Sequence, residues 1–312
     1  MIFSAEVNMK KVKLRELVDT LDLEIVHKSS DYDEVVIESR DINRPGLQLV
    51  GYMARFPYER LQLIGQLEYD YYRTLDAKVC YERFRGILSY DLPAMIFARN
   101  LDIRDDILDL ARHYDKSFVR STLPTTHLIT RINSTLELLM AEEQVMHGVL
   151  VEIFGSGVLL IGDSSVGKSE TALDLIIRGH RLVADDVVVI KKMVTGLLGT
   201  SPENIRHFME IRGLGILDVG RLYGLGSVKT EEYIDLVIEL KTWDEGEEYE
   251  RLGLEEEHTE ILGMQIPKVV IPVKTGRNIA MIIEVATRNH RQRTLGYNAA
   301  LELNKRLFRT EK

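Results

Sequence analysis

The chain has 312 residues, 45% of them hydrophobic and 29% charged, with 40 Lys and Arg against 49 Asp and Glu for a formal charge of −9. Such a composition supports a substantial globular core and excludes general nucleic-acid binding, which depends on cations that neutralise phosphates. The single cysteine, Cys80, excludes an internal disulfide, and no apolar run approaches the roughly 20 residues of a membrane-spanning helix. The opening MIFSAEVNMKKVKLREL carries no secretory pattern. The expectation is a cytoplasmic protein with no membrane and no nucleic-acid partner.

The length fits two domains, expected at 1–130 and 131–312, the first a smaller mixed α/β domain for assembly or regulation. Leu14, Leu17, Val18 and Leu21 have the spacing of a buried helix face. Residues 23–26 and 35–37 read as short strands, and Arg44-Pro45-Gly46 as a turn. Residues 94–98 read as a buried strand, followed by a helix on Ile103, Ile107, Leu110 and Ala111. A helix over 127–146, carrying Leu128, Ile132, Leu136, Leu139 and Met140, leads into the second domain.

From His147 the pattern changes to strands. Residues 148–154 and 158–161 form a hairpin turned at Gly155-Ser156-Gly157, since glycine reaches positive φ at little cost. A helix over 169–178 follows and stops at Gly179. A strand over 182–190 is interrupted by Asp185 and Asp186. Two helices close the chain, one on Ile279, Ile282, Ile283 and Ala286, the other on Ala300, Leu303 and Leu307. The cations between Arg288 and Arg309 read as a solvated helix face, or as a dock for an acidic or phosphorylated partner.

Between the hairpin and the helix lies Gly162-Asp163-Ser164-Ser165-Val166-Gly167-Lys168-Ser169. This fits the phosphate-binding pattern G-x-x-x-x-G-K-[ST] in its required place between strand and helix. The glycines let the backbone wrap a phosphate, and the helix start adds partial positive charge. Lys168 can reach the β- and γ-phosphates, and the Ser169 hydroxyl can enter a Mg²⁺ shell. A phosphotransferase also needs carboxylates. Asp185 and Asp186 are candidates, but neighbours in a regular strand face opposite ways, so both reach one site only at a distortion or a strand end.

Other residues are less decisive taken singly. His147 precedes the strand that feeds the loop. Glu210 leads into a glycine-rich stretch with the character of a lid. Lys274 and Arg277 are two cations in a turn, either a connector or a phosphate contact. The Glu-rich runs around Arg251 read as a solvated acidic region. Loop and acid pair alone fit a kinase for a protein acceptor, a kinase for a small metabolite, or a nucleotide sensor without transfer.

The motifs HGVLV, GDSSVGKSETAL, GHRLVADD, MEIRGLGILD, ERLG and IPVKTGRNIA occur in this order and resemble the HPr kinase/phosphorylase family. RDINRPGLQLVGY and ERLQLIGQLEY extend the resemblance to the N-terminal part. The resemblance implies a hexameric bacterial enzyme whose P-loop kinase domain is similar to phosphoenolpyruvate carboxykinase. It implies phosphorylation of a serine on HPr, the phosphocarrier of the sugar phosphotransferase system, with ATP or pyrophosphate. It implies removal of that phosphate by inorganic phosphate, and control by small-molecule effectors. Carried over by position, Lys168 and the loop hold phosphates, Ser169 and Glu210 contact Mg²⁺, and Asp186 is the general base with Asp185 beside it. His147 and Arg251 complete the active site, and residues 272–277, with Lys274 and Arg277, serve mainly dephosphorylation. The chain departs from the family in a short 191–206 segment and in its Glu-rich 243–257 stretch.

Overall fold

A computed structural model describes residues 11–244 and 256–308. The chain forms two compact units, 1–141 and 142–312. In the first unit β1 (Val12–Lys13) enters α1 (Leu14–Leu21), followed by β2 (Glu24–His27), β3 (Val36–Ile37), β4 (Ile42–Asn43) and α2 (Gly46–Leu49). Then come β5 (Leu61–Ile64), α3 (Gln66–Thr74), α4 (Ala77–Leu88), β6 (Met95–Phe97), α5 (Asp105–His113), β7 (Phe118–Arg120) and α6 (Thr125–Leu139).

The five-stranded sheet runs β2-β7-β6-β5-β4. Strands β4 to β7 are mutually parallel and β2 is an antiparallel edge. Helices must then cover both faces, because parallel strands are joined by crossovers. Leu61, Leu63, Ile96 and Val119 face α1 and α6 in one core. Ile64, Met95, Phe97 and Phe118 face Tyr72, Phe84, Ile107 and Leu110 in the other. Burying each such side chain contributes about 1.5–3 kcal/mol. The helix face expected at Leu14, Leu17, Val18 and Leu21 is buried along its whole length.

Two expectations at the junction are corrected. Helix α6 ends at Leu139 with Met140 as its C-cap, and residues 143–147 are a strand. Leu128, Ile132 and Leu136 pack in the first unit's core, so a boundary at 130 would cut a helix out of the core it completes. The division falls at 141/142.

The second unit contains β8 (Glu143–His147), β9 (Val149–Ile153), β10 (Ser156–Gly162), α7 (Lys168–Ile177), β11 (Arg181–Ala184), β12 (Val187–Met193) and β13 (Gly196–Thr200). It continues with β14 (Phe208–Ile211), β15 (Gly215–Asp218), α8 (Val219–Tyr223), β16 (Glu231–Thr242), β17 (Glu257–Ile261), β18 (Met264–Val273), α9 (Ile279–Thr294) and α10 (Ala299–Phe308). The main sheet is mixed and nine-stranded, ordered β11-β9-β10-β16-β13-β12-β8, with β18 pairing β16 and β17. Helices α7 and α9 cover β9, β10 and β16 through Ala172, Leu175, Ile176, Ala280 and Ile283. Among the described residues no helix is long and apolar enough to cross a membrane.

The hairpin turn is one step earlier than the glycines imply. Ile153 pairs with Ser156, and the two turn residues are Phe154 and Gly155, at φ +52° and +82°. Positive φ at both positions is what a two-residue hairpin needs. The basic C-terminal stretch also differs from a plain solvated face. The Arg288 guanidinium lies 3.8 Å from the Phe154 ring centroid, and Arg291 Nη1 donates to Phe154 O at 2.5 Å.

Candidate active site

Strand β10 runs parallel to β16, with Gly162 opposite Leu240. Its end turns directly into the phosphate loop. Gly162 has φ +140°, and a Cβ there would lie 2.2 Å from Leu240 O. Gly167, at φ +94°, is the N-cap of α7 and brings no side chain to the helix start. The first-turn N–H groups are thus left to an anion. Lys168 is buried, and its Nζ donates to Gly162 O at 2.8 Å and Asp163 O at 2.9 Å. The ammonium is held inside the loop by carbonyls. Val166 turns inward against the apolar core.

The break between β11 and β12 resolves the question of the acid pair. Asp186 has φ +68°, and Val187 N–H donates to Asp185 O at 2.8 Å. This three-residue turn is a rare geometry for a non-glycine residue. It abolishes the strand alternation, so both carboxylates reach one cleft of about 280 Å³. Asp186 O accepts from Gly148 N–H at 3.1 Å, which ties the turn to the start of β9.

The two carboxylates have different surroundings. Asp185 is buried. Ser169 Oγ donates to its Oδ1 at 2.8 Å, and Glu210 N–H donates to its Oδ2 at 3.2 Å. Burial pushes the Asp185 carboxyl above the usual carboxylate range; the Ser169 and Glu210 hydrogen bonds oppose that, and the Asp186 charge adds to it. Asp186 is exposed, with Oδ1 2.9 Å from His147 Nδ1. One acid therefore braces the α7 start against β14, while the other is presented to solvent beside an imidazole.

Residues lining the cleft include His147, Ser164, Ser165, Gly167, Lys168, Ser169, Asp185, Asp186 and Glu210. Gly162 and Asp163 form the loop's entry, and their carbonyls face Lys168. Lys274 and Arg277 do not line it. Lys274 Nζ sits 5.1 Å from the Trp243 ring centroid, and Arg277 Nη1 donates to Pro272 O at 2.8 Å. Arg251 lies outside the described residues. The lining also holds Glu170, which had no assigned role in the sequence, and Arg212, which lies in the 209–218 segment that the family resemblance marks as important in both directions. Arg212 Nη2 donates to Ser164 Oγ at 3.3 Å, placing a second cation over the loop. Its sequence signal is its place in the MEIRGLGILD motif.

A family model described as HPr Serine kinase C-terminal domain matches residues 139–307, and one described as HPr Serine kinase N terminus matches residues 12–136. The HPr kinase/phosphorylase of Peptoclostridium acidaminophilum is 46% identical over 301 residues, 96% of this chain and 97% of that protein. The HPr kinase/phosphorylase of Caldanaerobacter subterraneus subsp. tengcongensis is 47% identical over 302 residues, 96% of this chain and 99% of that protein. A solved structure described as the Hpr(Ser) kinase/phosphatase from Coxiella burnetii aligns with TM-score 0.47 and 35% identity, over 51% of this chain and 98% of that one.

Proposed function

The chain belongs to the HPr serine kinase family, and from that premise we propose that it phosphorylates a serine of HPr and also removes that phosphate. ATP or pyrophosphate is the donor in one direction. Inorganic phosphate is the acceptor in the other, leaving as pyrophosphate. The observation that carries this reading is the convergence of phosphate loop, buried Lys168, Asp185-Asp186 turn, His147 and Glu210 on one cleft.

The residues fit a nucleotide and a magnesium ion. Two cations, Lys168 and Arg212, and the uncapped start of α7 suit a polyphosphate. Ser169 spends its proton on Asp185, which keeps its oxygen lone pairs for a cation. Glu210 adds a carboxylate to the same cleft. Mg²⁺ prefers such hard oxygen donors and retains waters and phosphate oxygens in its shell. Ser169 and Glu210 would hold it, and its charge would offset that of the phosphoryl oxygens.

Asp186 is the proton-transfer group. In the forward direction the serine oxygen bonds to phosphorus as the donor's bridging P–O bond breaks, and Asp186 accepts the hydroxyl proton. In the reverse direction an oxygen of inorganic phosphate bonds to phosphorus, the seryl P–O bond breaks, and Asp186 protonates the serine oxygen. His147 orients the Asp186 carboxylate. Asp185 holds Ser169 and the backbone at Glu210 in register. Arg251 stabilises charge on the transferring group, and Lys274 and Arg277 serve the phosphate-dependent direction. Small-molecule effectors, a carboxykinase-like catalytic fold, a cytoplasmic location and a homohexamer belong to the same reading, supported by family membership.

The test incubates the protein with HPr, ATP and Mg²⁺ and weighs the HPr. One phosphoryl group on a serine is expected. Asp186→Asn is expected to lower turnover by about 10²–10⁴-fold while nucleotide binding persists. Undiminished transfer by that variant would remove Asp186 as the base, and HPr left unmodified under every effector condition would overturn the reading.

A further inference from the structure

Strands β11, β10, β16 and β18 all end on the same edge of the sheet. Strand β9 is antiparallel to both β10 and β11, so β10 and β11 run in the same direction. β16 is parallel to β10, and β18 to β16. The order along the edge is therefore β11, β9, β10, β16, β18. The groups at that edge follow suit: Asp185 and Asp186 after β11, His147 just before β9, the phosphate loop after β10, Trp243 after β16 and Lys274 after β18. With neighbouring strands about 4.8 Å apart, the acid pair lies roughly two spacings to one side of the loop. Trp243 lies one spacing to the other side and Lys274 two.

The Trp243–Lys274 pair is built. Trp243 N–H donates to Val273 O at 3.0 Å, continuing the β16–β18 ladder by one residue. Lys274 Nζ lies 5.1 Å from the indole centroid, a cation–π contact that fixes the ring plane. Trp243 is the chain's one tryptophan and stays 37% exposed. Among the described residues no apolar cluster takes in this indole, and it follows the strand next to the one that feeds the phosphate loop.

Phosphoryl transfer puts the attacking and leaving oxygens roughly in line through phosphorus. With Asp186 on the acceptor side, the leaving nucleotide extends the opposite way, over β16 and β18. We infer that Trp243, its ring held by Lys274, is the stacking platform for the aromatic base of the donor nucleotide. The inference rests on the proposed function and adds to it a group that separates the two donors. A nucleotide engages the platform, whereas pyrophosphate has no base to place there.

The test is calorimetric binding of ADP and of pyrophosphate, each with Mg²⁺, to the full chain and to Trp243→Ala and Trp243→Phe. Base–aromatic stacking predicts that Trp243→Ala weakens ADP by about tenfold to a hundredfold, lowering the ratio of ADP to pyrophosphate affinity by that factor. Trp243→Phe, which keeps an aromatic face, is expected to restore most of the ratio. A parallel fall in both affinities would assign Trp243 a structural role and overturn the inference, as would an unchanged ratio in both variants. Binding of neither ligand by the unmodified protein would overturn the parent reading, and the inference with it.

Discussion

Asp185 and Asp186 reach one cleft because Asp186 takes a left-handed conformation that few non-glycine residues adopt. The division of labour between them follows from burial. Asp185 is inside and hydrogen-bonded to Ser169 and Glu210, with its carboxyl pushed above the usual range. A raised carboxyl binds its proton more tightly in the folded chain than in the unfolded one. Stability at this group is then fullest below the ordinary aspartate value near 4, and falls as pH rises through the raised value. The variant Asp185→Asn lacks that dependence. Urea denaturation from about pH 4 to 8 should show the stability difference moving in favour of Asp185→Asn as pH rises. A difference that is flat, or that moves the other way, would contradict a raised carboxyl. At this scale the sequence was informative where chemistry demands a fixed spacing. The run from Gly162 to Ser169 and the adjacent acids stood out, whereas for Arg212 the MEIRGLGILD motif marked the segment but not its contact with Ser164, since an arginine before a glycine has no pattern to betray its target.

Elements form where residue pattern and contact surface agree. The spacing of Leu14, Leu17, Val18 and Leu21 matches α1, and the interruption at Asp185-Asp186 matches the break between β11 and β12. The end of α6 was not legible, because Met140 continues the apolar spacing although it caps the helix. β16 was missed for a related reason. Strand alternation fails over Leu236, Val237 and Ile238, which are buried on both faces between β10 and β18. The tight approach of β10 to β16 carries a prediction. A Cβ at Gly157 would fall 1.9 Å from Tyr233 O, whereas at Gly226 it meets nothing within 4 Å. Gly157→Ala should cost about 1–3 kcal/mol or more, and Gly226→Ala about 0.5 kcal/mol or less, by chemical denaturation. Equal effects would mean that the β10–β16 register is looser than described.

At the scale of the molecule, the chain forms two units with separate cores. The phosphate cleft belongs wholly to the second, where sheet order sets acid pair, phosphate loop and Trp243 side by side along one edge. That order was beyond sequence reading, because pairing of β10 with β16 joins segments about 80 residues apart that share no local pattern. The unit boundary was misplaced for the same kind of reason: α6 belongs to whichever core its apolar face completes. Lys168 is enclosed by the loop, and the proposed function makes that one cradle serve both directions of transfer. The most direct measurement follows phosphoryl transfer onto HPr from ATP, and off phosphoseryl-HPr to inorganic phosphate, in the unmodified chain and in Lys168→Ala. The shared cradle predicts that the unmodified chain performs both reactions, with pyrophosphate appearing in the second, and that Lys168→Ala loses both together. Loss of one direction with the other intact would contradict it.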